Sequence, residues 1–193
     1  MIGRRIAVYG PSGSGKSTFG RRIAASLGLP VIEIDAIFWR QNWTMTPDDE
    51  FRAKVSARLA ECESGWVAEG NYHQVRDIVM PQAETIIWLR LPFLTVYPRL
   101  VYRTVARAWS RQPLWGTNFE SWRQSFLSRD SILLWGISHW RAHHRGVESD
   151  IRGLRPAANV HVLRSTDAVA RFLAKVEATV DLQSSGGLLW QTR

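Results

Sequence analysis

The chain has 193 residues, of which 45% are hydrophobic, and a formal net charge of +8. This length suffices for one globular domain with a substantial core, and no apolar run approaches the ~18–20 residues that span a membrane. Cys62 is the only cysteine, which excludes a disulfide framework or a cysteine metal site within the chain. Together with an amino terminus unlike a signal peptide, this favours a cytoplasmic location and no membrane partner.

The first predicted strand, residues 5–9, leads into the segment GPSGSGKST and then into an amphipathic helix at 16–27. The spacing fits the phosphate-binding loop G-x-x-x-x-G-K-[ST], whose glycines let the backbone curl its N–H groups inward. We expect Gly10, Gly13 and Gly15 to adopt backbone angles that a Cβ would forbid. The lysine supplies charge for the β- and γ-phosphates, the serine hydroxyl can ligate Mg²⁺, and the helix start adds positive potential. The residues predicted to bind the nucleotide in this loop are Gly10, Pro11, Ser12, Gly13, Ser14, Gly15, Lys16, Ser17 and Thr18.

Strands and helices alternate along the rest of the chain. Further strands are predicted at 31–35, 66–70, 85–91 and 159–164, and further helices at 47–62, 93–110, 119–146 (one or two) and 167–181. The helix at 47 has Thr46 as its predicted N-cap and Pro47 at its first position. Near-continuous apolar strands separated by helices predict an α/β fold with a parallel sheet covered on both faces.

Two insertions interrupt a single predicted domain at residues 1–182, which is followed by a loose tail at 183–193. Ligands of open α/β sheets bind beyond the carboxyl ends of the strands, so both insertions can overhang the phosphate-binding loop. We predict that residues 36–64 form an acceptor-site insert and that 98–146 form a lid. The second segment holds two acids, Glu120 and Asp130, against eight arginines: 99, 103, 107, 111, 123, 129, 141 and 145.

Three of the lid arginines, Arg99, Arg103 and Arg107, are spaced four residues apart and therefore lie on one helical stripe. A solvated face is the common explanation for such a run, but the absence of interleaved acids favours contact with an anion. Arg103 and Arg107, with Arg129 as a further candidate, are predicted to neutralise the transferring phosphoryl group.

The sequence resembles the adenylate kinase-like group of P-loop kinases, which includes nucleoside monophosphate, shikimate and gluconate kinases. The phosphate-binding loop, the acid closing strand two in EID and the arginine-rich lid carry this resemblance. The segments LPVIEIDAIFW, NWTMTPDDEF, WVAEGNY, LWGTNFESW and SFLSRDSILLW resemble a bacterial subgroup labelled adenylate kinase-related or topology modulation protein. The resemblance implies a five-stranded P-loop sheet in the order 2-3-1-4-5, a mobile lid, and an adenine site near residues 164–167, where Arg164 is the candidate contact.

The resemblance also suggests roles for residues that follow strands two and three. Asp35 is predicted at the end of strand two, where an acid faces the acceptor hydroxyl or the waters of the magnesium ion, and both roles stay open. Glu69 stands where the group usually has aspartate, and it either organises the metal's water shell or hydrogen-bonds the backbone. Arg40 and Arg76 match regions that hold the acceptor phosphate in nucleoside monophosphate kinases, with a solvated surface position as the alternative.

The favoured function is a phosphotransferase that uses ATP and Mg²⁺, with Lys16, Asp35 and the lid arginines as its catalytic groups and a nucleotide or small metabolite as acceptor. The alternatives are a nucleotide-gated nucleic-acid-binding regulator and an NTPase switch without an acceptor. Nucleic acid is the less favoured partner because no helix-turn-helix, RNP aromatic pair or basic tail is present. His139, His143 and His144 do not predict zinc, since neither a cysteine nor the glutamate of a zinc-protease motif accompanies them. The sequence does not indicate an oligomeric state.

Overall fold

The computed structural model describes residues 2–110, 113–115, 118–120, 131–154 and 158–186, with side chains described up to residue 181. Five parallel strands form one sheet in the order β2-β3-β1-β4-β5, which confirms the predicted fold. The strands are β1 (Arg5–Tyr9), β2 (Val31–Glu33), β3 (Trp66–Glu69), β4 (Thr85–Leu89) and β5 (Asn159–Leu163). The central strands β1, β3 and β4 are apolar and almost fully buried, as expected where helices cover both faces.

Eight α-helices of the described chain connect and cover the strands. They are α1 (Lys16–Leu27), α2 (Ile34–Phe38), α3 (Asp48–Ala60), α4 (Arg76–Gln82), α5 (Phe93–Ser110), α6 (Ile132–Ser138), α7 (Trp140–Leu154) and α8 (Thr166–Gly186). Alternate side chains of β1 enter two cores. Ala7 and Tyr9 face the core shared with α3, α4 and α7, whereas Ile6 and Val8 face the core shared with α1 and α8.

The second strand is shorter than its sequence predicted. It ends at Glu33, and α2 begins at Ile34, so Asp35 lies in the first turn of a short helix and not at the end of the strand. Glu33 and Asp35 therefore do not share one face of a strand, as an extended chain over 31–35 would require. Glu33 instead accepts a hydrogen bond from Arg21 of α1, at 2.7 Å.

The start of α3 and the end of α8 also differ from the prediction. The N-cap of α3 is Pro47 and not Thr46, whose buried hydroxyl donates to the carbonyl of Ile37 at 2.9 Å. Helix α8 continues past residue 182 to Gly186, so the helix includes the beginning of the predicted tail.

The predicted lid range ends inside a helix that is docked on the core. Helix α7 extends to Leu154, Val147 is fully buried in the α3/α4 core, and Asp150 accepts a hydrogen bond from Arg76 of α4 at 2.5 Å. Helix α5 begins at Phe93, directly after β4, and packs against the phosphate-binding loop. The inserted segment is thus anchored at both ends. In the described part of the chain, no helix combines the length and apolarity that crossing a membrane requires.

Candidate active site

The segment between β1 and α1 has the geometry of a phosphate-binding loop. Gly13 and Gly15 both have φ of 87°, in the left-handed region where a Cβ is disfavoured. A Cβ on Gly13 would also lie 2.7 Å from the carbonyl oxygen of Val96, so α5 packs directly on the loop. Gly10 has no positive φ, which corrects the prediction for that position. A Cβ there would meet the Ser14 hydroxyl at 2.6 Å, so close packing requires this glycine.

The loop closes on itself and leads into the N-terminus of α1. The Ser14 amide donates to the carbonyl of Pro11 at 3.0 Å, and the Phe19 amide donates to that of Gly15 at 2.9 Å. The N-cap, Gly15, offers no side-chain acceptor to the first amides of α1. Those amides and the positive end of the helix are therefore available to an anion, as phosphate binding requires.

Lys16 of this loop lies next to the two carboxylates predicted beside it. Its side chain is 9% exposed, and Nζ lies 3.9 Å from Oδ2 of Asp35. Glu69, at the end of β3, is 2% exposed, and the hydroxyl of Ser17 is close enough to lower its pKa. Burial raises the pKa of Glu69, while the charge of Lys16 opposes that rise. One cation, one hydroxyl and two carboxylates thus converge beneath the loop.

These groups fit a magnesium–nucleotide complex. Oε2 of Glu69 is buried without a hydrogen-bond partner among the described residues, so this carboxylate has unused acceptor capacity. Magnesium prefers hydroxyl, carboxylate, water and phosphate oxygens. Within the described residues no cluster of three or more histidine, cysteine, aspartate or glutamate side chains forms a protein-only metal site. The arrangement therefore suits a metal that is brought and held together with substrate phosphates.

An aromatic cluster surrounds α2, the short helix that carries Asp35. Tyr72 packs in this cluster, and burial followed by the nearby carboxylate of Asp35 raises the pKa of Tyr72. The Tyr72 ring packs on Phe38 at 4.4 Å and on Phe51 at 5.4 Å, between ring centroids. Trp39 packs edge-on against Phe38 at 4.9 Å. In this structure these rings therefore pack mainly against one another, which fixes the orientation of α2.

Two of the predicted lid arginines face the same region. Arg103 of α5 is partly buried, and burial followed by the charge of Arg107 lowers its pKa. Asp35 and Glu69 are among the charges that act on Arg103, so it lies within electrostatic reach of the loop carboxylates. Arg107 forms an ion pair with Glu120 at 3.2 Å. Arg99 is exposed at the start of the stripe, and Arg129 lies outside the described residues.

The two inserted segments, 36–64 and 98–146, contact each other through Asn118. Its Oδ1 accepts from the Trp43 amide at 2.8 Å, and its Nδ2 donates to the Arg40 carbonyl at 3.0 Å. The Trp43 indole donates to the Phe119 carbonyl at 3.0 Å. Trp43 and Trp115, whose rings lie 5.7 Å apart, both have positive φ, which is uncommon for bulky residues. Hydrogen bonds and ring contacts thus join the two insertions.

The arginines predicted for the acceptor are already paired. Arg40 pairs with Glu50 of α3 on an exposed surface. Arg76 is 5% exposed and donates to Asp150 at 2.5 Å and to Oδ1 of Asn71 at 2.9 Å. Arg164 follows β5 and is exposed at the carboxyl edge of the sheet.

Two residues next to the site were not predicted as functional. Asn71 follows β3, and its side-chain amide hydrogen-bonds Nδ1 of His143, a buried residue of α7. The sequence placed His143 only within a rejected zinc motif. The segment EGNY at the end of β3 indicated a polar residue at the carboxyl edge of the sheet. The partner of Asn71, His143 of α7, is more than 70 residues away in sequence, so only the folded structure shows their contact.

Comparison with known proteins adds three sequence matches and two structures. The family model of shikimate kinase matches residues 12–133. A cytidylate kinase of Nitratidesulfovibrio vulgaris (strain DP4) is 40% identical over 57 residues, which are 28% of this chain and 25% of that protein. A shikimate kinase of Paramagnetospirillum magneticum is 32% identical over 115 residues, or 53% of this chain and 59% of that protein. The chain thus spans between one quarter and three fifths of the length of these curated relatives.

Two solved structures share the fold over nearly the whole chain. A gluconokinase from Sinorhizobium meliloti 1021 superposes with a TM-score of 0.53 at 22% identity. The superposition covers 98% of this chain and 97% of the gluconokinase chain. An unliganded sugar kinase from Janibacter sp. HTCC2649 gives 0.50 at 17% identity and covers 93% and 92%. The family model covers well over half of the sequence, from the phosphate-binding loop to the start of α6. The chain therefore belongs to the shikimate kinase family of P-loop kinases.

Proposed function

We propose that this protein transfers the γ-phosphoryl group of ATP to a hydroxyl group of a small hydroxylated metabolite, with Mg²⁺ as cofactor. The observation that carries the proposal is the placement of Lys16 beneath the loop, 3.9 Å from Asp35 and beside Glu69. A phosphate-binding loop supplies the donor site, and Asp35 supplies a carboxylate at its acceptor side. The membership in the shikimate kinase family supports the same reaction class.

Each group has a role that phosphoryl transfer requires. The loop amides and Lys16 bind the β- and γ-phosphates, and Arg103 neutralises charge on the transferring group. Asp35 orients the acceptor hydroxyl and accepts its proton as the new oxygen–phosphorus bond forms and the bond to the ADP oxygen breaks. Ser17 and Glu69 would hold the magnesium ion, which offsets negative charge on the phosphates. Phe38 and Tyr72 pack together and fix the orientation of α2, which carries Asp35.

A hydroxylated metabolite fits the site better than a nucleoside monophosphate. A nucleotide acceptor brings its own phosphate, which requires unpaired cations. Arg40 and Arg76, the residues predicted for that task, are each engaged with a carboxylate. Binding a phosphate there would require breaking the partly buried pair of Arg76, which costs free energy. We also propose that the chain belongs to the subgroup labelled topology modulation protein, because its lid segments resemble those of that subgroup.

The test is ADP formation with Mg²⁺ and ATP in the presence of single acceptors. The panel contains D-gluconate, shikimate, other polyhydroxylated acids and the nucleoside monophosphates. We expect ADP to form only with a hydroxylated metabolite, and Lys16→Ala to abolish turnover without loss of the folded structure. The lysine charge is expected to be indispensable because loop amides alone cannot follow charge onto the leaving oxygen.

Other results would contradict the proposal in distinct ways. ADP formation without any acceptor identifies an NTPase switch. Turnover restricted to nucleoside monophosphates shows that the pairs of Arg40 and Arg76 open for an acceptor phosphate. Salt-dependent binding of duplex DNA, with no phosphoryl transfer to any acceptor, identifies the nucleic-acid-binding regulator.

A further inference from the structure

Nε2 of His143 is a buried polar atom with no hydrogen-bond partner among the described residues. The residue is 8% exposed and lies on α7. It lines a cleft whose other walls include Pro11 and Ser12 of the phosphate-binding loop and the rings of Tyr97 and Trp140. A buried polar group of this kind costs free energy unless a ligand or a water molecule completes its hydrogen bond. An oxygen of a ligand, or a water molecule, that reaches Nε2 would supply that partner.

A chain of hydrogen bonds determines which ring nitrogen carries the hydrogen. Arg76 donates from Nη1 to Asp150 at 2.5 Å and from Nη2 to Oδ1 of Asn71 at 2.9 Å. A guanidinium has no acceptor, so the oxygen of the Asn71 amide faces Arg76 and the NH₂ group faces Nδ1 of His143. Nδ1 must therefore accept, and in the neutral ring the hydrogen resides on Nε2. The unpartnered atom is consequently a donor.

The imidazole ring of His143 is uncharged at neutral pH. Burial, followed by the positive charges of His144, Arg76 and Lys16, lowers the pKa of His143 to about 3. His143 therefore presents one N–H donor without a charge at neutral pH. Such a donor suits a hydroxyl or carboxylate oxygen, whereas a phosphate dianion favours a cation.

We propose that His143 is a specificity-determining residue of the acceptor site, whose Nε2–H donates to a hydroxyl or carboxylate oxygen of a small hydroxylated acceptor. This inference rests on the proposed phosphotransferase function. Asn71 follows β3 at the carboxyl edge of the sheet, where ligands of open α/β sheets bind, and it brings His143 to this edge. Asn71 and Arg76 are positioning residues, because their hydrogen bonds determine which nitrogen of the His143 ring carries the hydrogen.

The first experiment compares His143→Gln and His143→Leu with the wild-type protein, using D-gluconate and shikimate as acceptors. Glutamine retains an N–H donor near the position of Nε2, whereas leucine fills the space without one. We expect leucine to raise the KM for the acceptor by roughly three- to tenfold, as for a lost neutral hydrogen bond, with an unchanged KM for ATP. Glutamine should restore most of the loss. His161→Leu is the matched control, because His161 lies on β5 against Phe172.

A third variant separates a tautomer effect from a packing effect. Asn71→Asp keeps the size of the side chain and its contact with Arg76, but its carboxylate accepts a hydrogen from Nδ1. Nε2 then becomes an acceptor, and the KM for the hydroxylated acid should rise as in His143→Leu. Nitrogen NMR of the histidine rings reports the tautomer directly, with His143→Gln assigning the signal. A wild-type protein with the hydrogen on Nδ1 would overturn the proposal.

The remaining outcomes distinguish this inference from the proposed function. The assigned role is wrong if His143→Leu changes the KM for ATP but not the KM for the acceptor. It is also wrong if the substitution changes neither KM. If neither acid supports ADP formation, the proposed function fails for these acceptors. In that case the same acids are titrated into the labelled protein. A shift of the His143 Nε2–H signal supports an acceptor site there, and its absence refutes it.

Discussion

At the residue scale, the site depends on a few charges placed where water has little access. Lys16 and Glu69 are both nearly inaccessible, so each senses the other strongly. Burial raises the pKa of Glu69, while the charge of Lys16 and the hydroxyl of Ser17 oppose that rise by stabilising the charged form. Such unfavourable burial is common where chemistry requires a charge in a fixed place.

Asp35→Asn tests the role of the acceptor-side carboxylate. The amide is nearly the same size, so the change removes charge and basicity. We expect kcat to fall by roughly 10²- to 10⁴-fold with little change in ATP affinity. Steady-state kinetics and nucleotide titration measure the two quantities. A parallel loss of ATP affinity would instead make Asp35 a ground-state binding residue.

At the element scale, α5 and α7 approach the phosphate-binding loop from the inserted segment and differ in how they are held. Helix α7 is tied to α4 by a partly buried ion pair and a fully buried valine. Helix α5 has exposed large side chains, including Tyr102 and Trp109, at 77% and 81% exposure. It contacts the site through arginines that repel one another, as the effect of Arg107 on Arg103 shows. We therefore expect the end of α5 to respond to a bound anion more than α7 does.

Arg103→Lys tests this helix. Lysine keeps the charge but loses the planar fork that matches a phosphoryl group. We expect kcat to fall roughly tenfold to a hundredfold, with a smaller change in ATP affinity. Arg99→Lys, an exposed change one turn earlier on the same stripe, is the matched control and should leave both parameters nearly unchanged. Equal effects of the two variants would show that the stripe acts only through its overall charge.

Asp150→Asn tests the docking of α7. The change leaves the buried guanidinium of Arg76 with a hydrogen-bond acceptor but without its countercharge. We expect a loss of about 1–3 kcal/mol in the free energy of unfolding, since breaking a buried pair costs more than breaking an exposed one. Glu61→Gln removes an exposed partner of Arg58 and should leave the free energy of unfolding nearly unchanged. Denaturant unfolding of both variants measures the difference, and similar values would argue against a structural role for the α7 pair.

At the scale of the whole molecule, the charge of +8 is distributed unevenly. Arginines of α1, α3 and α4 pair with nearby carboxylates, whereas Arg99, Arg141 and Arg145 of the inserted segment are exposed. Among the described residues these three arginines have no ion pair, so they leave positive charge on the surface of the inserted segment. Such a field attracts anionic substrates such as nucleotides.

Global stability should depend on pH through His143. A histidine whose pKa is about 3 in the folded state stays neutral while its unfolded counterpart binds a proton below pH ~6.5. Stability is therefore lost as the pH falls through this window. Relative to His143→Gln, wild type should lose about 2 kcal/mol between neutral pH and about pH 5. Thermal unfolding of both proteins across this range measures it, and parallel curves would contradict a neutral buried imidazole.

The parallel sheet, which the structure confirms, and the position of the phosphate-binding loop were predictable from the residues alone. These features are local or periodic: apolar strands, a fixed glycine–lysine spacing and helix-length segments require no knowledge of distant contacts. The end of β2 was harder to predict. The segment EID is typical of a strand, whereas its last two residues, Ile34 and Asp35, begin α2.

The contacts of the polar side chains, in contrast, became known only from the fold. Arg76 matched an acceptor arginine in the sequence, but folding places Asp150 of α7 against it. His143 had no functional signal until Asn71 and the phosphate-binding loop were brought to it. A side chain's charge and reach are readable from sequence, whereas its partner depends on which distant helices pack together. The pairing of arginines and the tautomer of a histidine are therefore properties of the fold, because long-range packing sets the local dielectric and the available hydrogen-bond partners.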